Sequence, residues 1–155
     1  MTDSRPEQER PSPERFVIDT IADFYGGADL ADWAANGLFP VTVLTPQLQI
    51  TIPDAESFVE RLELLRGGFG RMGVARVESE VRSVLRQNED DATVALRNTR
   101  IGPDGERLGA HNALYILRFA DGRWRFRAIS MHDDDTHETE VRERLERIFR
   151  GAAET

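Results

Sequence analysis

Two hydrophobic periods divide the chain. From Pro13 to Tyr25, Val17, Ile21 and Phe24, joined by Ile18 and Tyr25, form one stripe at helical spacing. Ser12-Pro13 supplies an N-cap and a proline at the first helical position, where its missing donor costs nothing. Gly26-Gly27 ends the stripe, and a short helix is expected from Asp29, carrying Leu30 and Trp33 until Asn36-Gly37. Residues 41–45 and 48–52 are rich in β-branched residues between prolines and predict two short strands or one bent strand. After Asp54 the helical period returns in Phe58, Val59, Leu62 and Leu65, with a stop expected at Gly67-Gly68.

Beyond Gly73 the period becomes two. Val77, Ser79, Val81, Ser83 and Leu85 alternate in one run, and Val94, Leu96, Asn98 and Arg100 share a face in the next. Pro103-Asp104-Gly105 turns that strand into one that bears His111. A two-residue turn at Asp104-Gly105 places Asn98 opposite His111, whereas a bulged turn shifts the register by one. Asp121-Gly122 then joins two strands, because Asp-Gly between alternating runs favours a type I′ turn. With this turn the expected partners are Phe119 with Trp124, Leu117 with Phe126, Tyr115 with Ala128, Ala113 with Ser130 and His111 with His132. All ten would share one face, apolar near the turn and polar-tipped away from it, as a core grading into a pocket. The result is a four-stranded antiparallel meander, and with helices available to cover one side the fold class is α+β. Residues 1–12 lack periodicity and read as a disordered tail. Residues 135–150, opening on an Asp135-to-Glu138 capping box, predict a C-terminal amphipathic helix with Val141, Leu145, Ile148 and Phe149 on its stripe.

Composition narrows the functions. The chain has 155 residues, a net charge of -8 and no cysteine. An acidic domain without a basic stripe is a poor binder of nucleic acid or anionic membranes. All 20 basic residues are arginine, which removes lysine Schiff-base chemistry, and zero cysteine removes thiolate nucleophiles. There is no signal-like apolar segment and no run long enough to span a membrane, so the cytoplasm is the expected compartment.

His111, His132 and Tyr115 are the candidate catalytic residues. Two imidazoles facing each other across a hairpin depress each other's protonation, so one would be neutral and able to act as a base; strand-end histidines at a solvated rim are the alternative. Asn98, Arg100, Tyr25, Trp33 and Ser130 are the candidate ligand contacts. Arg100 needs a counter-ion if buried, from a substrate anion, Asp23 or Asp133 to Asp135. Tyr115 with Tyr25 and Trp33 would line an aromatic pocket or belong to an ordinary aromatic core. The run His132 to Glu138 invites a metal reading through His132, Asp135 and His137, but it spans a strand end and a helix cap, so its side chains should diverge and no metal site is expected. Gly67 to Gly73 lacks a phosphate-cradle pattern and reads as a flexible pocket lip.

The order of elements, Y-G-G-A-D-L at the first helix break and Y-I-L-R-F-A-D-G-R-W-R-F at the hairpin resemble the nuclear transport factor 2-like superfamily and its SnoaL-like polyketide cyclase group, over about residues 13–134. The resemblance implies a cone-shaped, curved antiparallel sheet covered by N-terminal helices, a small apolar or aromatic ligand inside the cone, no cofactor, and a homodimer. Against ketosteroid isomerases of this fold, Thr45 of Thr45-Pro46 stands at the position of the catalytic base, Tyr115 at that of a proton donor and Ile21 at that of a helix tyrosine. The base is therefore missing, and a histidine-based acid–base reaction through His111, His132 and Tyr115 is the chemistry left open. The other expectation is a non-catalytic sensing or interaction module, dimeric through an Arg-rich outer face that includes Arg76, Arg97, Arg118, Arg125 and Arg127.

Overall fold

The computed structural model describes residues 10–45 and 49–132. Ser12 caps the first helix, α1 (Pro13–Tyr25), its Oγ accepting from the Arg15 amide at 3.2 Å. Asp29 and Asp54 cap α2 (Leu30–Ala34) and α3 (Ala55–Arg71) in the same way. Each such cap satisfies an amide that the helix itself cannot, and contributes roughly 1 kcal/mol. The expected stop at Gly67-Gly68 is not observed: α3 runs through both glycines to Arg71. Packing overrides the cost of roughly 1 kcal/mol per glycine, because the extra turn carries Phe69 onto Tyr25, with ring centroids 5.4 Å apart.

The strands are β1 (Gly37–Leu44), β2 (Gln49–Ile52), β3 (Arg76–Arg86), β4 (Asp91–Ile101), β5 (Arg107–Ala120) and β6 (Arg123–His132). They form one sheet in the order β2-β1-β6-β5-β4-β3. The β3-to-β6 meander is antiparallel as expected, while β1 joins it by pairing parallel to β6. Asn98 lies opposite His111, but not through a two-residue turn: Gly102 donates to the Glu106 carbonyl at 2.8 Å and Ile101 pairs with Arg107 across Pro103-Asp104-Gly105, and the extra residue Leu108 then restores the register. Residues 10 and 11, expected in a disordered tail, are held against the hairpin. Arg10 pairs with Asp90 at 2.9 Å and lies over Phe119, and the Pro11 carbonyl accepts from Trp124 Nε1 at 2.8 Å. Residues 1–9, and residues 133–155 with the expected C-terminal helix, lie outside the described residues.

The β5–β6 hairpin turns as the sequence demands, with positive φ at Asp121 (54°) and Gly122 (85°). Phe119 faces Trp124 and Leu117 faces Phe126. The register then shifts: Ile116 pairs with Ala128, so Arg127 is the extra residue of a β-bulge. Past it every β6 side chain changes face. The expected pairs of Tyr115 with Ala128, Ala113 with Ser130 and His111 with His132 are replaced by Tyr115 with Ile129, Ala113 with Met131 and Asn112 with His132.

Two buried clusters result. The larger lies between the sheet and the helices, where Val17, Ile21 and Phe24 of α1, Trp33 of α2, and Phe58 and Leu62 of α3 meet Val94, Leu117 and Phe126. Trp33 is its centre: it stacks on Phe126 at 5.5 Å, meets Phe24 and Phe58 edge-on, and donates from Nε1 to the Thr20 carbonyl at 2.8 Å. The smaller cluster lies on the other face and comprises Leu44, Ala95, Leu114 and Ala128, with Ile116 against it.

Candidate functional site

The helix-covered face does not close completely. Between α1, α3 and the far ends of β1, β2, β4, β5 and β6 lies a cavity of about 230 Å³. Its walls are mostly apolar, from Ile21 and Phe24 through Phe58, Leu62 and Phe69 to Ile129 and Met131. Polar groups collect on one set of neighbouring strands: Asn98 of β4, with His111 and Tyr115 of β5, joined by Tyr25 from the end of α1. The period of two brings them together, because 98, 111 and 115 all project to the helix side.

These groups form two hydrogen-bonded sets lying side by side, one of Ser79, Asn98 and Tyr115 and one of Arg100 and His111. Ser79 donates to Asn98 Oδ1 at 2.7 Å, and the Asn98 amide also bonds the Tyr115 hydroxyl. Asn98 Nδ2 lies 3.5 Å from His111 Nε2, and Arg100 Nη1 lies 2.9 Å from His111 Nδ1. A guanidinium can only donate, so Nδ1 accepts and a neutral His111 carries its proton on Nε2. The base expected at His111 therefore has its Nδ1 lone pair engaged, and the Nε2 edge beside Asn98 is a donor. Burial pushes the Tyr25 hydroxyl up to about 12, partly offset by Arg100. Burial likewise raises Tyr115, reinforced by Tyr25 and offset in part by the Asn98 bond. Both hydroxyls stay protonated at neutral pH, so the polar end presents donors: two phenols, an amide, an imidazole N–H and, behind it, a guanidinium.

Tyr25, Trp33, Asn98, His111 and Tyr115 all line the cavity, and Arg100 stands against it through His111. His132 and Ser130 do not. The Arg127 bulge turns both to the opposite face, where they are buried, so the expected His111–His132 pair does not form. Ser79, Ile129, Met131 and Arg61 belong to the site or its support and were not singled out from the sequence. Ser79 was legible as a polar residue in the apolar face of its strand. The apolar positions 124, 126, 129 and 131 change parity at the bulge, which is its only mark in the sequence. No group of three or more metal-ligating side chains converges among the described residues. Asp135 and His137 lie outside them.

A family model described as NTF2-like protein (DUF6841) matches residues 14–134. The chain belongs to this NTF2-like family. Solved structures agree with the fold of the NTF2-like domain. Aln2 from a Streptomyces species superposes with a TM-score of 0.61 at 18% identity, covering 86% of this chain and 99% of that one. A ketosteroid isomerase-like protein from Erwinia carotovora atroseptica gives 0.58 at 19% identity, covering 78% and 92%. A putative calcium/calmodulin-dependent protein kinase type II association domain from Thiobacillus denitrificans gives 0.62 at 20% identity, covering 80% and 96%. No curated protein matches the sequence. In this NTF2-like chain the three positions that the ketosteroid isomerase resemblance marks, Ile21, Thr45 and Tyr115, all line the cavity. No helix among the described residues is long and apolar enough to cross a membrane.

Proposed function

We propose that this NTF2-like domain binds a small, largely apolar molecule that carries one hydrogen-bond-accepting oxygen. The observation that carries the reading is the convergence of donors from Tyr115, Asn98 and His111 at one end of an otherwise apolar cavity. An accepting oxygen there replaces water at fixed donors, the arrangement that polarises a carbonyl. Among the described residues no Asp or Glu lines the cavity, and Thr45 cannot take a proton from carbon. With Nδ1 held by Arg100, His111 acts in an acid–base step on such a ligand as a proton donor through Nε2 while Tyr115 holds the oxygen; no cofactor enters the reading. The interaction-module reading has less support. Leu44, Ala95, Leu114 and Ala128 are at most 4% exposed within a single chain and offer a second copy little apolar area. Several outer arginines already have partners in the chain, Arg118 on Asp91 at 3.0 Å and Arg76 on Glu78 at 3.1 Å.

The test is NMR of the imidazole signals of the full chain with 2-acetylnaphthalene, an apolar carbonyl compound. The ligand should move the His111 signals and leave those of His132. Losing one donor to a carbonyl should weaken binding by about tenfold in His111→Ala, with His132→Ala within about twofold of the parent. Equal losses in the two variants, or a ligand that moves neither histidine, would sink the reading.

A further inference from the structure

Arg100 has no carboxylate partner among the described residues; Asp133 to Asp135, also candidates from the sequence, lie outside them. It is half-buried, its Nε is buried without a hydrogen-bond partner, and among the described residues no carboxylate comes within ion-pair distance. Asp23, the partner expected within the described chain, makes no ion pair with it. Other arginines have carboxylates: Arg10 reaches Asp90, Arg76 reaches Glu78, and Arg118 reaches Asp91. A guanidinium cannot shed its charge to escape burial, so the structure must supply a compensating group or a ligand must. The contact of Arg100 with His111 supplies a lone pair but no negative charge.

The fold keeps room for this guanidinium. Gly109 pairs with Arg100 across the β4–β5 ladder and has φ of 155°. A Cβ built there would sit 2.5 Å from Arg100 Nη2, so a side chain at this position would push the guanidinium away. A second cation, Arg61 of α3, lines the cavity and is the only charged residue to do so among those described. In a chain with 28 acidic residues against 20 basic ones, a cavity lined by one cation, with a second against it through His111 and no carboxylate among the described residues, is not a reflection of composition.

Resting on the pocket reading above, we propose that the oxygen this cavity accepts belongs to a carboxylate, and that the ligand is a small aromatic or alicyclic carboxylic acid held with its anionic end at His111 and Arg100. A carboxylate is acceptor-only and offers two oxygens, matching an end built of donors. The amide, imidazole and phenol donors then take one oxygen while the guanidinium neutralises the charge.

The experiment compares 2-naphthoate with 2-naphthamide, nearly equal in shape and differing in charge, by calorimetry on the full chain near neutral pH. The acid should bind at least about tenfold more tightly, as charge-assisted bonds exceed neutral ones. Arg100→Met should remove that preference, the amide in the same variant serving as the reference for any loss that both probes share through His111; Arg61→Met should reduce it less. If Arg100→Met does not fold, the acid-to-amide ratio of the unaltered chain decides, together with its fall as salt is raised from about 0.05 to about 0.5 M. Equal binding of the two probes, or a preference that survives Arg100→Met, overturns the carboxylate assignment and leaves the pocket reading standing. Failure of both probes and of 2-acetylnaphthalene overturns both.

Discussion

The two faces of the sheet use the same strands to opposite ends. Toward the helices, large aromatic side chains meet and stop short of closing, so a cavity remains with donors at one end. On the other face Leu44, Ala95, Leu114 and Ala128 form a cluster and share that face with the buried Thr42, Thr93, Ser130 and His132, small groups for the most part. What sorts polar residues between the two is parity along the strand, and parity in β6 is reset by one residue. His111 lines the cavity while His132, which the unbulged register would place beside it, is buried behind the sheet. Neighbouring positions in sequence, or matching positions in a hairpin, need not belong to one site.

The severest way to break this difference is to delete Arg127 and Ala128 together. With the bulge gone and one further residue removed, Ser130 and His132 would turn into the helix-covered core, and Ile129 and Met131 out of it. The expected cost exceeds about 4 kcal/mol, read as loss of a cooperative melt by circular dichroism. Deleting Arg127 alone removes only the extra residue, leaves each later side chain on its present face and should keep the cooperative melt; a double deletion that melts within a few degrees of the parent would show that parity in β6 does not set the faces. Next in size is a pair of truncations. Trp33→Ala should cost about 3–5 kcal/mol in urea unfolding and, since it opens the cavity wall, also weaken probe binding. Leu114→Ala, on the opposite face, should cost about 2–5 kcal/mol and leave probe affinity unchanged. Equal effects of the two on binding would dissolve the distinction between the faces.

The smallest effect separates the faces by pH. Tyr25 and Tyr115 are the only tyrosines of the chain, and both line the cavity. Burial raises both hydroxyls, Tyr25 to about 12. The unfolded chain releases its phenolic protons first, near the ordinary value of about 10, so the native state then binds more protons and stability falls as pH rises from there toward about 12. Below the ordinary value this contribution is fully present. Ultraviolet titration of tyrosinate should show no ionisation near pH 10 until the protein unfolds; a native titration there would place the phenols in water.

Much of the fold was legible because its signals are local. Ser12-Pro13 fixes the start of α1, Asp121-Gly122 fixes the hairpin turn, and alternation along β4 and β5 puts Asn98 and His111 on one face, while their pairing across the ladder also takes the extra residue Leu108. Three things were not, and each depends on distant partners. Gly67 and Gly68 stay helical because Phe69 has Tyr25 to pack on. The parallel pairing of β1 with β6 leaves no mark in either strand. The bulge at Arg127 replaces no residue with an unusual one, so the predicted site mixed residues of both faces. Tyr25, Trp33, Asn98, Tyr115 and His111 reach the cavity because they precede the bulge in the chain or lie off its strand; Ser130 and His132 follow it.

The place of β1 in the sheet also has a consequence in time. Thr42, Val43 and Leu44 pair with Ala128, Ile129 and Ser130, the last strand described. On a ribosome, the helices and β1 emerge well before the strand that holds β1 to the meander. Pairings this distant in sequence are slow to form, because the loop must close before any contact rewards it. During synthesis the aromatic side chains that later wall the cavity therefore wait in the open, and the cavity takes shape only after the end of β6 has been made.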